Sequence, residues 1–438
     1  MSASTATANT WSNWAGNVVT RPAAVEHPTS TAEVQALVTR AAADGLTVKA
    51  VGAGHSFTPI AATDGVCVRL DRMNRVLDHD TATGRVCVQA GISLHELNPR
   101  LRELGLALPN LGDVDPQSVA GAVSTGTHGT GGRLQGIAAA VVGAQLVTGS
   151  GDVVEVDEHH PWFGAVRVGL GALGVLTEVT LQCVPAFLLR AREEPALLGD
   201  VLGRLDELAN DHDHAEFYWF PHTDRALLKR NDRVPEGTDR QPLGRLRHWW
   251  DDELLSNVVY ERVQRLTTRR PTLIPRVNAI SGRLLGARTY TSDSYDVFVS
   301  PRRVRFRESE FAVPREALTS VVTELQDWFA ARHELVSFPI EVRFTAADDA
   351  WLSTGHERDN AYVAVHQYHR VDPTTYFAAA QDIFTAHEGR PHWGKMHTLD
   401  AAHLSGLYSR FEDFLAVRDE ADPQRRFTNP YLDRVLGR

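Results

Sequence analysis

Two closely spaced glycines followed by a histidine are the first residues whose types and spacing could do chemistry. Residues 50–57 read Ala-Val-Gly-Ala-Gly-His-Ser-Phe, so that Gly52 and Gly54 interrupt an apolar run just before His55. Glycines let backbone N–H groups turn toward an anion because no Cβ stands in the way, and the stretch could therefore wrap a pyrophosphate. Phe57 occupies the place where the dinucleotide fingerprint needs a third glycine. We therefore do not expect a Rossmann helix here, and the octapeptide alone is equally consistent with an ordinary strand-to-loop turn.

A second glycine-rich segment, residues 110–131, is unusually small and polar. Glycine, serine and threonine recur along it, with few charges and no lysine. The segment has neither helical nor strand periodicity, so it cannot build a core by itself. Its backbone N–H and hydroxyl donors could approach a phosphate-bearing ligand closely. We expect it to contribute to a ligand site rather than to form a flexible surface loop.

A dinucleotide-binding pattern also occurs at residues 169–174, which read Gly-Leu-Gly-Ala-Leu-Gly. That motif requires a helix directly after it. Here Val175, Thr177, Val179 and Leu181 instead alternate as in a strand. The sequence therefore predicts a strand after the glycines and no nicotinamide site.

Glu341 and Arg343 lie two residues apart in an alternating apolar segment, residues 338–344. Positions two apart on a strand share one face, so both side chains should project together. If this face lines a cavity, the pair could bind a polyol or a sugar lactone through charge-assisted hydrogen bonds. If it faces water, it is a surface ion pair worth about 0–1 kcal/mol.

Lysine is rare in this chain, because only Lys49, Lys229 and Lys395 are lysines among 45 basic residues. Lys395 lies between His392 and His397 in a short polar and aromatic stretch. A cation in a ligand site could stabilise negative charge that develops during a reaction. The alternative is a lysine that forms a salt bridge at a domain boundary.

The composition excludes several classes of protein. With 438 residues and 43% hydrophobic content, the chain can bury a large core and is expected to form two domains. Its net charge of −10 argues against nucleic acid as a partner. The first ten residues lack the features of a secretion signal, and the longest apolar stretch, residues 137–147, is too short to span a bilayer. We expect a protein without a membrane span.

The cysteines and histidines do not suggest a metal or a disulfide framework. Cys67, Cys87 and Cys183 are few and widely spaced, which favours a reducing, cytoplasmic setting. His392 and His397 do not combine with Cys183 at the spacing of a metal site. We therefore predict no bound metal.

Regular elements can be placed around these segments. A capping box at residues 30–33 predicts a helix over residues 31–44, and a second capping box occurs at residues 93–96. Predicted strands occupy residues 47–51, 66–70, 85–89 and 362–368, and the last of these would place His366 and Tyr368 on one face. The arginine-rich run at residues 262–288 is typical of a solvated or domain-contact surface.

Four motifs occur in a fixed order along nearly the whole chain. They are residues 52–56, the loop at residues 110–131, the His-Trp-Gly-Lys sequence of residues 392–395, and a closing segment at residues 422–432 that contains Asp-Pro and Phe-Thr-Asn-Pro-Tyr-Leu. In these motifs the chain resembles the FAD-dependent aldonolactone and alditol oxidases, which include L-gulonolactone and D-arabinonolactone oxidases. This family belongs to the vanillyl-alcohol-oxidase superfamily of flavoproteins.

The resemblance implies an α+β flavoprotein with a split FAD domain, formed by residues 1–185 and 396–438. A substrate domain with an antiparallel sheet, residues 186–395, would lie between the two parts. His55 matches the histidine to which the flavin is covalently attached in many members, and a neutral imidazole is a suitable nucleophile. The other FAD-binding positions that it implies are Gly52, Ala53, Gly54, Ser56, Phe57, Gly112, Ser118, Gly121, Ser124, Thr125, Gly126, Thr127, His128, Gly129, Gly174, Val175, His397 and Asn429.

The resemblance also implies a reaction, in which hydride passes from a substrate hydroxyl carbon to flavin N5 while the hydroxyl proton leaves to a base or to water. Residues that match or resemble the catalytic positions are Glu341, Arg343, Lys395 and His366, and those on the substrate side are Asp113, Glu308 and Tyr368. Glu341 and His366 are both candidates for the base.

Within the resemblance, a few single residues indicate which electron acceptor and which substrate to expect. Gly112 corresponds to a small residue near the flavin edge that governs oxygen access in the family, and it favours an oxidase that produces hydrogen peroxide. Asp113 and Glu308 replace a serine and a glutamine of alditol-oxidising relatives, which favours a lactone. An alditol oxidase, a lactone dehydrogenase with another acceptor, and a non-catalytic flavin- or sugar-binding protein are the alternatives. The exact substrate, the physiological acceptor and the oligomeric state stay open.

Overall fold

The computed structural model describes residues 10–244, 257–284, 286–300, 303–332 and 334–438. Its N-terminal part begins with a two-stranded ribbon and a parallel three-stranded sheet in the order β3-β5-β4. These strands are β1 (Trp11–Ser12), β2 (Val19–Thr20), β3 (Ala24–Glu26), β4 (Val48–Val51) and β5 (Val66–Arg69). Helix α1 (Thr31–Ala43) joins β3 to β4, as parallel strands require a crossover, and the Ser30 side chain caps it as predicted. Strand β4 ends at the first residues of the glycine turn.

A five-stranded antiparallel sheet follows, in the order β10-β9-β11-β7-β6. Its strands, with the small pair formed by β8 and β12, are β6 (Val76–Asp80), β7 (Arg85–Gln89), β8 (Leu106–Ala107), β9 (Val141–Val147), β10 (Val153–Asp157), β11 (Val175–Gln182) and β12 (Val184–Pro185). The helices in this region are α2 (Leu94–Glu103), α3 (Val119–Ser124) and α4 (Phe163–Val166). Strand β11 confirms the prediction that a strand, and not a helix, follows residues 169–174.

The central part of the chain forms an eight-stranded antiparallel sheet in the order β16-β13-β15-β14-β18-β19-β17-β20. Its strands are β13 (Leu188–Leu197), β14 (His214–Trp219), β15 (Arg225–Arg233), β16 (Arg288–Asp293), β17 (Phe306–Pro314), β18 (Ile340–Thr345), β19 (Asn360–Tyr368) and β20 (Arg390–Pro391). The register sets Glu216 opposite Arg343 and Glu308 opposite His366. The sheet thereby gathers charged residues that are distant in sequence.

Helices flank this sheet and close the chain. They are α5 (Leu198–Leu202), α6 (Leu205–Asn210), α7 (Tyr260–Arg269), α8 (Ile274–Leu284), α9 (Ser294–Phe298), α10 (Leu318–Arg332), α11 (Thr374–Ala386), α12 (Ala401–Ser405), α13 (Phe411–Ala421) and α14 (Pro430–Leu436). Most arginines of α7 and α8 are exposed, in agreement with the predicted solvated surface. None of the described helices combines the length and apolar character that crossing a membrane requires.

The C-terminal residues pack against the N-terminal part of the chain. The Asn429 side chain donates hydrogen bonds to the carbonyl oxygens of residues 59, 60 and 62, at 3.1, 3.0 and 2.9 Å. Its Oδ1 also caps α14 by accepting a bond from the Leu432 N–H. The Val48 N–H donates to the Arg426 carbonyl at 2.8 Å. These contacts agree with a domain that the end of the chain completes, while the boundaries at residues 185 and 395 stay predictions.

Candidate active site

A cavity of about 370 Å³ lies where the glycine turn, the loop of residues 110–131 and residues 170–174 meet. Many of the expected FAD-binding residues line it, although they come from separate parts of the sequence. They are Gly52, Ala53, Gly54, His55, Ser56, Ser118, Gly121, Ser124, Thr125 and Gly174. We refer to this space as the cofactor cavity.

Close backbone approach in the cofactor cavity depends on glycine. A Cβ on Gly52 would lie 2.5 Å from the Ser118 hydroxyl oxygen, and a Cβ on Gly174 would lie 2.5 Å from the Val147 carbonyl oxygen. Gly54 has a φ of +73°, which favours glycine. Glycine therefore lets the segments of the wall pack closely around the cavity, and the backbone N–H and hydroxyl groups present there fit the pyrophosphate of FAD.

Lys49 is a buried lysine at the cofactor cavity whose role the sequence did not reveal. Its ammonium donates to the Gly171 carbonyl at 2.9 Å and to the Phe427 carbonyl at 3.1 Å. Burial lowers its pKa to about 7, against a smaller opposing effect of Asp422. Lys49 therefore ties the glycine motif at residues 169–174 and the C-terminal segment to strand β4. Its rarity in the chain was the only signal in the sequence.

A smaller cavity of about 100 Å³ adjoins the cofactor cavity and shares His55, Ser56, Gln117 and Thr125 with it. Its wall combines the 110–131 loop, strands β17, β18 and β19, and the turn before Lys395. The predicted residues that line this substrate cavity are Phe57, Gly112, Asp113, Thr127, His128, Glu308, Glu341, Arg343, His366 and Lys395. The structure thus brings together all four predicted catalytic residues.

Arg343 is the centre of the first charge cluster in the substrate cavity. Its guanidinium forms ion pairs with Glu341, with Glu216 at 2.9 Å and with Asp113 at 3.3 Å. Burial lowers the pKa of Arg343, but the three carboxylates outweigh burial and raise it overall. The Tyr218 hydroxyl donates to Glu341 at 3.0 Å. The pair expected from the sequence is therefore a buried network and not a surface ion pair.

Glu216, which sequence reasoning missed, holds the Arg343 guanidinium by an ion pair. One of its carboxylate oxygens lies 2.6 Å from Lys229 Nζ and the other lies 2.9 Å from Arg343 Nε. Burial raises the pKa of Glu216, but Lys229 and Arg343 lower it to about 2. Glu216 is thus a fixed anion between two cations. The signal available in the sequence was its position in an alternating segment that contains few other charges.

Lys395 is the centre of the second charge cluster. Its ammonium lies 2.5 Å from Glu308, 3.9 Å from Glu310 and 5.4 Å from the centre of the Phe57 ring. Burial lowers the pKa of Lys395, but the two glutamates outweigh burial and raise it. Burial likewise raises the pKa of Glu308, and Lys395 and His366 lower it to about 2. The lysine and Glu308 are therefore both charged at neutral pH.

His366 presents one ring nitrogen to the substrate cavity. Its Nδ1 lies 3.1 Å from the Pro339 carbonyl oxygen, and because a carbonyl only accepts hydrogen bonds, this nitrogen carries the proton. Nε2 lies 3.5 Å from Glu308 and 3.9 Å from Glu341. A deprotonated Nε2 would suit a base, since two carboxylates would stabilise the imidazolium that forms.

His128, Glu310 and His392 form the one group of three potential metal ligands found in the described ranges, with their candidate atoms within 4.8 Å of one another. The His392 Nδ1 accepts a bond from the Gly394 N–H at 3.0 Å, so its other nitrogen carries a proton and neither has a free lone pair. The nearby Lys395 ammonium would repel a metal cation. The group therefore does not suit a metal, and the absence of a metal stays a prediction.

Several expected ligand-contacting residues are not part of the lining of either cavity. Tyr368 shares a strand face with His366, but its longer side chain reaches helix α7, where the hydroxyl donates to Glu261 at 2.7 Å. His397 instead contacts the Tyr431 hydroxyl at 2.9 Å. The remaining predicted residues that line neither cavity are Gly126, Gly129, Val175 and Asn429. Asn429 supports the backbone beneath the cofactor cavity, since it holds the carbonyls of residues 59–62.

Comparison with known proteins agrees with this arrangement. Residues 22–157 match the model of an FAD binding domain, and residues 179–435 match the model of the D-arabinono-1,4-lactone oxidase family. The chain is 43% identical to L-gulono-1,4-lactone dehydrogenase of Mycobacterium tuberculosis, over 98% of this chain and 99% of the relative. It is 34% identical to L-gulonolactone oxidase of Bos taurus, over 97% of both chains.

The fold also resembles that of a solved structure. The crystal structure of cholesterol oxidase from B. sterolicum matches with a TM-score of 0.81 at 17% identity, over 98% of this chain and 97% of the other. This likeness confirms the predicted α+β fold of the vanillyl-alcohol-oxidase type.

The substitution Glu216→Gln should lower the free energy of unfolding by about 3 kcal/mol at neutral pH, because it removes the charge that Lys229 and Arg343 share. The folded-state pKa of Glu216, about 2, lies below its ordinary value of 4.5. Its charge therefore contributes stability above pH 4.5, and this contribution is lost as the pH falls toward 2. Urea denaturation of both proteins at several pH values should show the difference shrinking in acid. The exposed Glu316→Gln is the control, and a difference independent of pH would contradict this role.

Proposed function

Because this chain belongs to the D-arabinono-1,4-lactone oxidase family of FAD-dependent oxidoreductases, we propose that it oxidises a hydroxyl group of a neutral sugar-derived lactone, of the L-gulono-1,4-lactone or D-arabinono-1,4-lactone type. The observation that carries this proposal is the convergence of Glu341, Arg343, His366 and Lys395 on a small cavity beside the glycine-lined one. FAD bound there supplies the acceptor for two electrons from the substrate carbon.

The charges of the substrate cavity favour a neutral polyhydroxy ligand. The lysine and arginine at its wall are already paired, Arg343 with Asp113 and two glutamates, and Lys395 with Glu308. A substrate carboxylate would meet repulsion from these acids without an unpaired cation to receive it. Hydroxyl groups can instead donate to the carboxylates and accept from the cations. A lactone therefore fits better than the corresponding free acid.

His366 is the base in this proposal. The sequence left the choice open between Glu341 and His366, but the Glu341 carboxylate is occupied by Arg343 and by the Tyr218 hydroxyl. The His366 Nε2 faces the same space and, in its deprotonated form, accepts the substrate hydroxyl proton. Lys395 then stabilises the oxygen as it loses that proton, and Arg343 and Glu341 orient the neighbouring hydroxyls.

His55 is positioned to carry the flavin covalently, as the resemblance implies. It lines both cavities, and its ring stacks on Trp14 with ring centroids 5.7 Å apart. Burial, and secondly the charge of Lys395, lower the pKa of His55 and keep the imidazole neutral. A neutral ring nitrogen is the form that can act as a nucleophile.

Oxygen is the acceptor that Gly112 favours, which would make the enzyme an oxidase producing hydrogen peroxide. Gly112 lines the substrate cavity, and a Cβ at this position would lie 3.1 Å from the His128 carbonyl oxygen, which is closer than an ordinary contact. A non-oxygen acceptor is the second candidate, and the name of the 43% identical dehydrogenase favours it. The three cysteines form no disulfide, which supports a reducing, cytoplasmic location.

Anaerobic mixing with L-gulono-1,4-lactone or D-arabinono-1,4-lactone should bleach the flavin absorbance of the purified protein, while L-gulonate, the matched free acid, should not. Readmission of air should restore the absorbance with one hydrogen peroxide per flavin. Reoxidation by an artificial acceptor but not by air would identify a dehydrogenase. Bleaching by xylitol or sorbitol alone would favour the alditol alternative, and a flavin that no lactone or alditol bleaches would refute catalysis.

Replacement of His366 by glutamine should slow flavin reduction by roughly 10²- to 10⁴-fold with little change in the lactone concentration at half-maximal rate, since a lost base affects the chemical step more than binding. Anaerobic stopped-flow absorbance measures both quantities. His403→Gln, at an exposed site on α12, is the matched control. An unchanged reduction rate in His366→Gln would exclude His366 as the base.

Acid precipitation should leave the yellow colour with the wild-type protein and release it from His55→Ala, because only the wild type would hold the flavin by a covalent bond. Absorbance of the pellet and of the supernatant measures the partition. His79→Ala, on the exposed strand β6, should behave as wild type. Retention of flavin by the His55→Ala pellet would place the attachment elsewhere.

A further inference from the structure

We propose that His128 and Glu310 form a buried imidazolium–carboxylate pair that positions Lys395 and maintains its charge. Both residues line the wall of the substrate cavity, and both are at least nine-tenths buried. The family resemblance implied only cofactor binding for His128 and no role for Glu310. This inference rests on the proposed function, in which Lys395 acts on the substrate oxygen.

The surroundings of His128 indicate that both of its ring nitrogens carry protons. Nδ1 lies 2.9 Å from the Gly129 carbonyl oxygen and must donate to it. Nε2 lies 3.3 Å from the Glu310 carboxylate, and a lone pair there would face a second lone pair in a buried site. The ring also stacks on Tyr362 with centroids 3.5 Å apart, and an aromatic face attracts a cation. His128 is therefore an imidazolium.

Glu310 lies between this imidazolium and Lys395. Its carboxylate is 3.3 Å from His128 Nε2 and 3.9 Å from Lys395 Nζ. Burial raises the pKa of Glu310, but His128 and Lys395 outweigh burial and hold it far below its ordinary value. His392 adds no further charge, because burial lowers its pKa to about 3. Two carboxylates, Glu308 and Glu310, thus balance two cations, Lys395 and His128.

Strand β17 fixes the position of Lys395 as well as its charge. The His392 N–H donates to the Glu310 carbonyl at 3.0 Å, and the Met396 N–H donates to the Glu308 carbonyl at 2.9 Å. The Lys395 N–H closes the turn by donating to the His392 carbonyl at 2.9 Å. The same two residues of β17 therefore hold the backbone on both sides of Lys395 and the ammonium at the end of its side chain.

Loss of the Glu310 charge alone should leave two neighbouring cations that repel each other. The charged and titratable groups that face Lys395 are Glu308, Glu310, Glu341 and His55. Those that face His128 are Glu310, His392 and Tyr362, and Lys395 lies beyond Glu310. In Glu310→Gln the imidazolium remains, so Lys395 should release its proton at lower pH. When His128→Gln is added, both charges are absent and the wild-type balance returns.

The first test measures protonation directly and does not depend on catalysis. Nitrogen NMR of the holoenzyme with ¹⁵N-labelled histidine, with His128→Gln used for assignment, should show both ring nitrogens of His128 protonated at neutral pH. A single protonated nitrogen in the wild type at neutral pH would overturn the proposal, even if the enzyme oxidises lactones as proposed.

The second test compares pH profiles of anaerobic flavin reduction by a lactone. The alkaline limb of the rate–pH profile should move to lower pH by roughly one to three units in Glu310→Gln, because nearby charges shift a pKa by about that much. It should stay near the wild-type position in His128→Gln and return toward it in the double variant. A merely structural role would make the double variant at least as impaired as either single variant, and that result would overturn the proposal. The exposed Glu316→Gln should match the wild type.

If either single variant fails to fold, the recovery of folding in the double variant would itself support the charge balance. Thermal unfolding of all three variants gives this measurement without any substrate. Failure of the double variant together with both single variants would count against the pair. Absence of lactone oxidation in the wild type, with both His128 nitrogens protonated, would instead refute the proposed function and leave the pair intact.

Discussion

The pairing of buried charges is the constraint on which the substrate cavity depends. Glu216, Glu308, Glu310 and Glu341 are all buried, and each would be costly to keep ionised without a cation. The partners come from other strands and from the 392–395 turn, so the geometry depends on sheet register. A slip of one residue would turn Arg343 away from Glu216 and leave both charges unpaired in the interior. The need to pair these charges therefore specifies one register for strands β14 and β18.

The same pairing joins the two halves of the site. The loop that supplies Asp113 and His128 also supplies Ser118, Ser124 and Thr125 to the cofactor cavity. Asp113 bonds to Arg343 and His128 faces Glu310, so ion pairs fasten this loop to the eight-stranded sheet. The cofactor cavity and the substrate cavity thus share a wall whose position is set by charge. This arrangement keeps the substrate beside the place where the flavin fits.

Sequence patterns predicted the local elements well because their signals are local. The capping box of α1, the alternation of β18 and the strand after the glycines of residues 169–174 need only neighbouring residues to be recognised. The motifs of the family also indicated Glu341, Arg343, His366 and Lys395, which the structure places around one cavity. Sequence patterns missed Glu216 and Lys229 because their roles depend on partners that are not neighbours in sequence. Glu216 pairs with Arg343, more than a hundred residues away, and Lys229 pairs with Glu216 across two paired strands. Tyr368 shows the opposite limit, since a shared strand face gives the direction of a side chain and not the point that it reaches.

The tie between Lys49 and the Phe427 carbonyl spans 378 positions of the chain. During synthesis the glycine turn leaves the ribosome long before residues 427–429 are made. Until then the Lys49 ammonium lacks its acceptor at Phe427. The nascent protein therefore cannot complete the floor of the cofactor cavity before translation ends. A chain that stops a dozen residues early would lack both the Phe427 acceptor of Lys49 and the Asn429 side chain that holds residues 59–62, so two supports of the cofactor cavity would be missing at once.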